Sequence, residues 1–403
     1  MNKKDLSLWI TALFISMMNT NIVDIYKYFI PLIIVFLVIT IYKTAFRTPY
    51  ISYFLFFSIS VTSLLGYTET LTGSHAASKN LILFGLSFYS ASLAYLISKN
   101  DSLNFNQAFQ VANPLLLTTG PIALFFNPIK YKKLNYRVNY FLPFIIVGVF
   151  FYQIVASPLT KFFFLIESTD AISTILFAFI FEIFVYMNFC GLSLIIYGLF
   201  GILGYRIPLN FKQPFSSRNV IEFWKGWHIS LSIVLKSLFY TPLRKNFPQF
   251  FSLFGVFLAS ALWHGVTFNF VLWGSFHATI FWLSLIALKR GNKLIPLILL
   301  PIAVVIGRLI FAERDTEHLL EKLSFSLQKI SFIEQFTSIP KASILALIFG
   351  ILLILVEFIF KDAPMMRKRN YKYLRTPIIL CLIVFLGCFL IDNGLNYAVY
   401  GQR

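Results

Sequence analysis

The chain predicts an all-α polytopic membrane protein, and three observations carry that prediction. Of its 403 residues 58% are hydrophobic and only 12% charged, about half the charged fraction of a soluble domain. Apolar runs recur at roughly the 20-residue length that crosses a bilayer as a helix. In lipid only helices and closed barrels satisfy their own backbone, and these runs are far too long and continuous for barrel strands.

The apolar runs fall at 7–19, 25–42, 51–67, 80–98, 139–157, 171–203, 250–267, 270–288, 294–311, 342–360 and 376–392. They predict about eleven transmembrane helices. The 171–203 run is long enough for a single tilted or extended helix. Val111 to Phe126 is interrupted by Pro114, Gly120 and Pro121, so it predicts a re-entrant hairpin buried in protein rather than a simple span. Lys3 and Lys4 lead into an apolar run from Leu6 to Met18 without a small-x-small cleavage site, which predicts a retained first helix or interfacial segment. No long soluble segment divides the chain, so a single membrane domain over 1–403 is expected.

The formal net charge of +18 does not read as a nucleic-acid surface. No basic run alternates with exposed aromatics. Instead Lys and Arg concentrate in alternate loops: Lys130 to Arg137, Arg206 to Lys245, Lys289 to Lys293 and Arg367 to Arg375. That alternation is the signature of cytoplasmic loops. Cys190, Cys381 and Cys388 all sit in apolar runs without paired spacing, so neither zinc nor a disulfide framework is indicated. No H-x-x-x-H, H-E-x-x-H, G-x-S-x-G or P-loop occurs, and no metal is expected.

Segment 204–248 differs from the rest. It is amphipathic and punctuated by Pro208, Pro214, Pro242 and Pro248, as for helices lying at the cytoplasmic interface or dipping into the bundle. Asn219 is an N-cap candidate for a helix Val220–Leu238, with Glu222 at the third position of a capping box. On such a helix Trp224 and His228 share a face.

Polar chemistry crowds into Asn210–His277, which holds three of the five histidines. His264 is the first candidate. It lies about 16 residues from Pro248, on the order of 24 Å along a helix axis, well inside the protein. Intramembrane ionisable groups cost ~2.5 kcal/mol or more when charged, and they mark function. A neutral imidazole is cheaper to bury and is the form a general base needs. The competing reading is a buried histidine bonded to a backbone carbonyl. His228, between Trp227 and Ile229, could orient a group, relay a proton or pack. His277, four residues after Trp273, reads as a supporting or packing residue. His75 and His318 fall in polar loops.

Several segments, in order, resemble the membrane-bound O-acyltransferases, and within them the bacterial cell-envelope branch. They are Gly85-Leu86-Ser87-Phe88-Tyr89, Thr119-Gly120-Pro121-Ile122, Phe189-Cys190-Gly191, and Pro208-Leu209-Asn210-Phe211 with Pro214-Phe215. The most specific are Glu222-Phe223-Trp224 to Trp227-His228-Ile229-Ser230-Leu231-Ser232 and Leu262-Trp263-His264-Gly265. The resemblance covers roughly 80–280. It departs where Leu194, Lys236-Ser237-Leu238 and Ala278 stand in place of acidic or glycine residues common in that family.

The resemblance implies re-entrant and interfacial helices around a central tunnel, in the bacterial cytoplasmic membrane. It implies His264 as the catalytic histidine and His228 as the second functional one; proximity in sequence to these two makes Trp224, Trp227, Trp263 and Asn269 the candidates to line the passage. The implied activity is transfer of an acyl group, acetyl first and D-alanyl to teichoic acid as the alternative, to an envelope polymer. No bound cofactor is implied, only an acyl donor such as acetyl-CoA or an acyl carrier. A periplasmic or extracellular transferase would be the partner, alongside membrane lipid. Two non-enzyme readings compete: a proton-coupled transporter, against which the lack of two-half symmetry argues, and a catalytically dead scaffold.

Overall fold

The computed structural model of the protein describes residues 10, 51–57, 80–99, 105–113, 115–116, 121–124, 127–129, 133–165, 170–313, 315–324 and 339–359. They are mainly helical. Five helical segments are long and apolar enough to cross a membrane: Leu134–Phe163, Ala171–Leu203, Phe268–Lys289, Leu294–Ala312 and Lys341–Ile359. This is a multi-pass arrangement among the described residues. The expected runs at 7–19, 25–42 and 376–392, and most of 51–67, lie outside those residues, as does His75, so the expected total of about eleven is not established.

The residues gather into two compact units. One comprises 1–141, 196–210 and 230–266, and the other 142–195, 211–229 and 267–403. In the first, helix α1 (Asn80–Lys99) packs against α2 (Phe105–Val111) and against a π-helical turn at Lys236–Tyr240. Ser92 on α1 donates to Phe88 O at 2.9 Å and accepts from the Ala123 backbone at 3.0 Å. That bond holds the buried, non-helical stretch 121–124 against the helix. Part of the expected re-entrant segment is therefore non-helical backbone with a side-chain partner, which is how such backbone persists away from water. A short antiparallel ladder pairs Asn127 with Arg206 and Pro128 with Tyr205. Helix α3 (Gln249–His264) packs on the π-turn and on α4 (Thr241–Asn246).

Helices α5 to α8 are Leu134–Val149, Ser157–Leu165, Ala171–Leu203 and Val220–Gly226. The second unit contains the end of α5, a π-turn Phe150–Ala156, α6 and most of α7. The apolar run at 171–203 does form one uninterrupted helix of 33 residues. Gly148 and Gly191 let α5 and α7 meet backbone to backbone. A Cβ on Gly148 would lie 2.6 Å from the Gly191 carbonyl oxygen, and one on Gly191 2.7 Å from that of Gly148. Small residues at a crossing are the usual way membrane helices approach closely. Helices α9 (Phe268–Lys289) and α10 (Leu294–Ala312) pack along one another, and α8 lies against both. Helix α11 (Lys341–Ile359) packs on α6, and Ser343 donates to Pro158 O at 2.7 Å.

One expected element is corrected. Asn219 does cap a helix at Val220, accepting the Glu222 N–H at 2.9 Å. The Glu222 carboxylate accepts from Arg218 N at 3.2 Å, one residue earlier than a capping box requires. The helix does not run on to Leu238. It stops at Gly226, Trp227 is extended, and His228 adopts a left-handed conformation with φ 43° before helix Ile229–Leu235 begins. Lys212 N donates to Gly226 O at 2.8 Å, and Asn210 engages Ser230. These tertiary bonds override a local pattern that would have continued. Trp224 and His228 therefore do not share a helical face.

Candidate active site

Helix α3 has Pro248 as its N-cap and runs 16 residues to His264, its last residue. Sixteen residues span about 24 Å, so the imidazole stands a full helix length from Pro248. Gly265 N still bonds to Ala261 O at 3.1 Å, after which the chain leaves the helix and Thr267 caps α9. His264 is half-buried. Its ring meets the edge of Trp263 at 4.9 Å. Trp263 is buried against Phe88 of α1 at 5.7 Å, edge-on, and Phe56 at 6.3 Å, stacked. The tryptophan thus wedges the C-terminal turn of α3 in place. A partly accessible imidazole on a fixed helix end can meet a substrate hydroxyl.

His228 belongs to the second unit, at the corner between two short helices. It is buried, with the Phe211 ring at 6.3 Å. Burial pushes its pKa down to about 4, against a smaller opposing backbone hydrogen bond. At neutral pH the ring is uncharged. So weak a base is suited to holding a group by hydrogen bonding rather than storing a proton. Trp227 beside it is enclosed by Phe211 at 5.1 Å, Phe223 at 5.4 Å and Tyr186 at 5.8 Å.

The second unit brings Trp224, Trp273 and His277 together. Trp224 lies 5.1 Å edge-on from His277 and 6.0 Å from Trp273, and His277 and Trp273 are 4.9 Å apart. Trp224 also packs on the core formed by Val220, Ile280 and Ala303. Asn269 is buried and has three partners. Its amide donates to Glu313 O at 2.8 Å and Asp315 O at 3.3 Å, and its oxygen accepts from the Thr316 hydroxyl at 3.0 Å. In this conformation Asn269 ties α9 to the start of the helix Thr316–Leu323. His318 is exposed on that helix.

Three charged residues inside apolar helices are further functional candidates. Glu182 on α7 and Arg308 on α10 form a buried ion pair. Glu357 on α11 accepts from the Tyr186 hydroxyl at 2.7 Å and from Phe215 N at 2.8 Å. The signal for all three was in the sequence, because a lone ionisable residue in a membrane span is a functional candidate by default. Their partners were not legible, since each comes from a distant segment.

Comparison with known proteins agrees with the motifs. Residues 125–293 match the sequence model of MBOAT, the membrane-bound O-acyltransferase family. The chain is 36% identical over 143 residues to the probable alginate O-acetylase of Pseudomonas aeruginosa, covering 33% of this chain and 27% of that protein. It is 34% identical over 96 residues to the peptidoglycan O-acetyltransferase of Helicobacter pylori, 23% of this chain and 18% of that one. It is 23% identical over 151 residues to the teichoic acid D-alanyltransferase of Bacillus subtilis, 34% of this chain and 38% of that one. The match to the first of these relatives spans about a quarter of its length. His228, His264 and His277 all fall within 125–293, the segment that matches the membrane-bound O-acyltransferase family.

Proposed function

We propose that this protein is an integral-membrane O-acyltransferase that moves an acyl group, acetyl in the leading reading, for O-acylation of a cell-envelope polysaccharide. The observation that carries it is His264, half-buried at the C-terminal end of α3, inside the family segment, in a chain similar to two envelope O-acetyltransferases. His264 acts as general base. It takes the proton of an acceptor hydroxyl as that oxygen bonds to the acyl carbonyl carbon. The bond from that carbon to the donor's leaving atom then breaks, and the imidazolium returns the proton to the leaving group. An apolar setting keeps water from the acyl ester. His228 holds the reacting group, while Trp224, Trp227 and Trp263 border the passage and Asn269 braces it. The site lies in the bacterial cytoplasmic membrane. The acyl donor is acetyl-CoA or an acyl carrier, and a periplasmic or extracellular transferase completes the transfer.

D-alanylation of teichoic acid is the second reading. It is favoured by the similarity to a D-alanyltransferase and by Pro214-Phe215-Ser216-Ser217-Arg218. One experiment tests both. Alkali-released acyl groups are quantified on envelope polymers from cells carrying the wild-type protein or His264→Ala at equal membrane abundance. A loss of about 10²-fold or more is expected for a missing general base. Unchanged acylation removes the catalytic assignment, and alanine rather than acetate in the released fraction selects the second reading.

A further inference from the structure

Glu182 and Arg308 stand in two apolar helices, α7 and α10, and their ion pair is buried, with side chains 3% and 12% exposed. Burying such a pair gives little net stability, and replacing both partners by apolar residues is often neutral or better. The pair therefore calls for another explanation, and what the guanidinium faces supplies one. It lies 5.2 Å from the ring of Trp227 and 5.4 Å from that of Phe311, within cation–π range of both. Trp227 immediately precedes His228, whose φ of 43° is a conformation that a residue with a Cβ holds only when its surroundings over-determine it. On the far side of the corner, Ser230 is fixed through Asn210. On the near side the constraint is Trp227. Its ring is boxed by Phe211, Phe223 and Tyr186, with Arg308 as the charged member of the set.

We propose that the Glu182–Arg308 pair is a positioning device for His228. Glu182 fixes the guanidinium, the guanidinium fixes the Trp227 ring, and the ring holds the His228 backbone in its left-handed turn so that the imidazole has one orientation. The pair touches no reacting atom. This assignment rests on the acyltransferase reading for its purpose but not for its test. Arg308 is suited to the task because its planar group stacks on an indole, which a lysine ammonium cannot reproduce.

The test uses the full-length protein in lipid nanodiscs and follows carbethoxylation of individual histidines by diethyl pyrocarbonate, read by mass spectrometry against exposed His318. The main variant is Glu182→Met/Arg308→Met, which removes both charges together and so leaves no unpaired ion. His228 should react about tenfold faster as its corner opens locally, while His264 stays within about twofold of wild type because no global opening occurs. Arg308→Lys should fall between the two. Trp227→Leu should raise the His228 rate by itself, and adding Glu182→Met/Arg308→Met should raise it no further, because the two act in series. An unchanged His228 rate, a parallel rise at His264, or additive effects of Trp227→Leu and the double change would each overturn the proposal. Because the readout needs no turnover, a wild-type protein without acyl transfer would sink the acyltransferase reading alone.

Discussion

The side-chain oxygen of Asn210 accepts two hydrogen bonds from one residue, from Ser230 N at 3.2 Å and from the Ser230 hydroxyl at 2.7 Å. Both residues are buried. Asn210 thus caps the helix Ile229–Leu235 from outside its own chain segment, just after the left-handed residue His228. Asn210→Ala strands two buried donors and should cost about 2–3 kcal/mol, whereas Ser230→Ala removes only the hydroxyl and should cost about 1 kcal/mol. The double variant should be less destabilised than the sum of the singles. Thermal unfolding in detergent measures all three, and an equal or larger cost for Ser230→Ala would contradict the asymmetry.

Gly226 is required by the neighbouring chain rather than by its own dihedral angles. A Cβ there would stand 2.6 Å from the carbonyl oxygen of Lys212 and 3.3 Å from the Pro214 Cα, and backbone atoms do not swing aside. Gly226→Ala should break the Lys212–Gly226 hydrogen bond and destabilise by about 1–3 kcal/mol, as overpacking does. The same change should raise protease sensitivity around 212–228. Wild-type stability and cleavage in that variant would show that the loop has room.

His228 gives a pH dependence of defined sign. Burial takes its pKa from 6.5 to about 4, so between those values the unfolded chain binds a proton that the folded chain does not. Stability from this group is fully present above pH about 6.5 and is lost as pH falls toward about 4. The loss approaches roughly 3 kcal/mol, from ~1.4 kcal/mol per pKa unit. His228→Asn keeps a residue tolerant of the left-handed region and does not titrate. The stability difference between wild type and His228→Asn should therefore change across this window, with the wild type losing ground on acidification. A difference that is flat with pH in denaturant titrations would mean that the ring is not held neutral.

Where a short stretch decided its own structure, the sequence was a sufficient guide. The helix at 171–203 followed from one apolar run and the Asn219 cap from Asn219 with Glu222 three residues on, whereas the run expected at 250–267 ends as α3 at His264, three residues early. The break at Trp227–His228 was not readable, because residues 220–238 favour helix locally and the bonds that stop it come from Asn210 and Lys212. Asn269 shows the same limit. Its place beside His264 in sequence suggested a passage wall, while its three partners lie more than forty residues away. Glu182, Arg308 and Glu357 could have been singled out as lone charges in apolar runs, but nothing in the sequence says that Arg308 would lie over Trp227.

The π-turn at Phe150–Ala156, within the membrane segment Leu134–Phe163, has a consequence for how this chain tolerates change in length. A π-turn is an α-helix that has absorbed one extra residue. The helices on either side therefore keep the phase of a helix one residue shorter. Deleting one residue between Phe150 and Ala156 should close the turn to regular α-helix and leave Gly148 and Pro158 facing their present neighbours. The same deletion a turn earlier or later would rotate everything beyond it by about 100°. The segment thus marks a place where this chain can lose one residue without re-registering the helices on either side.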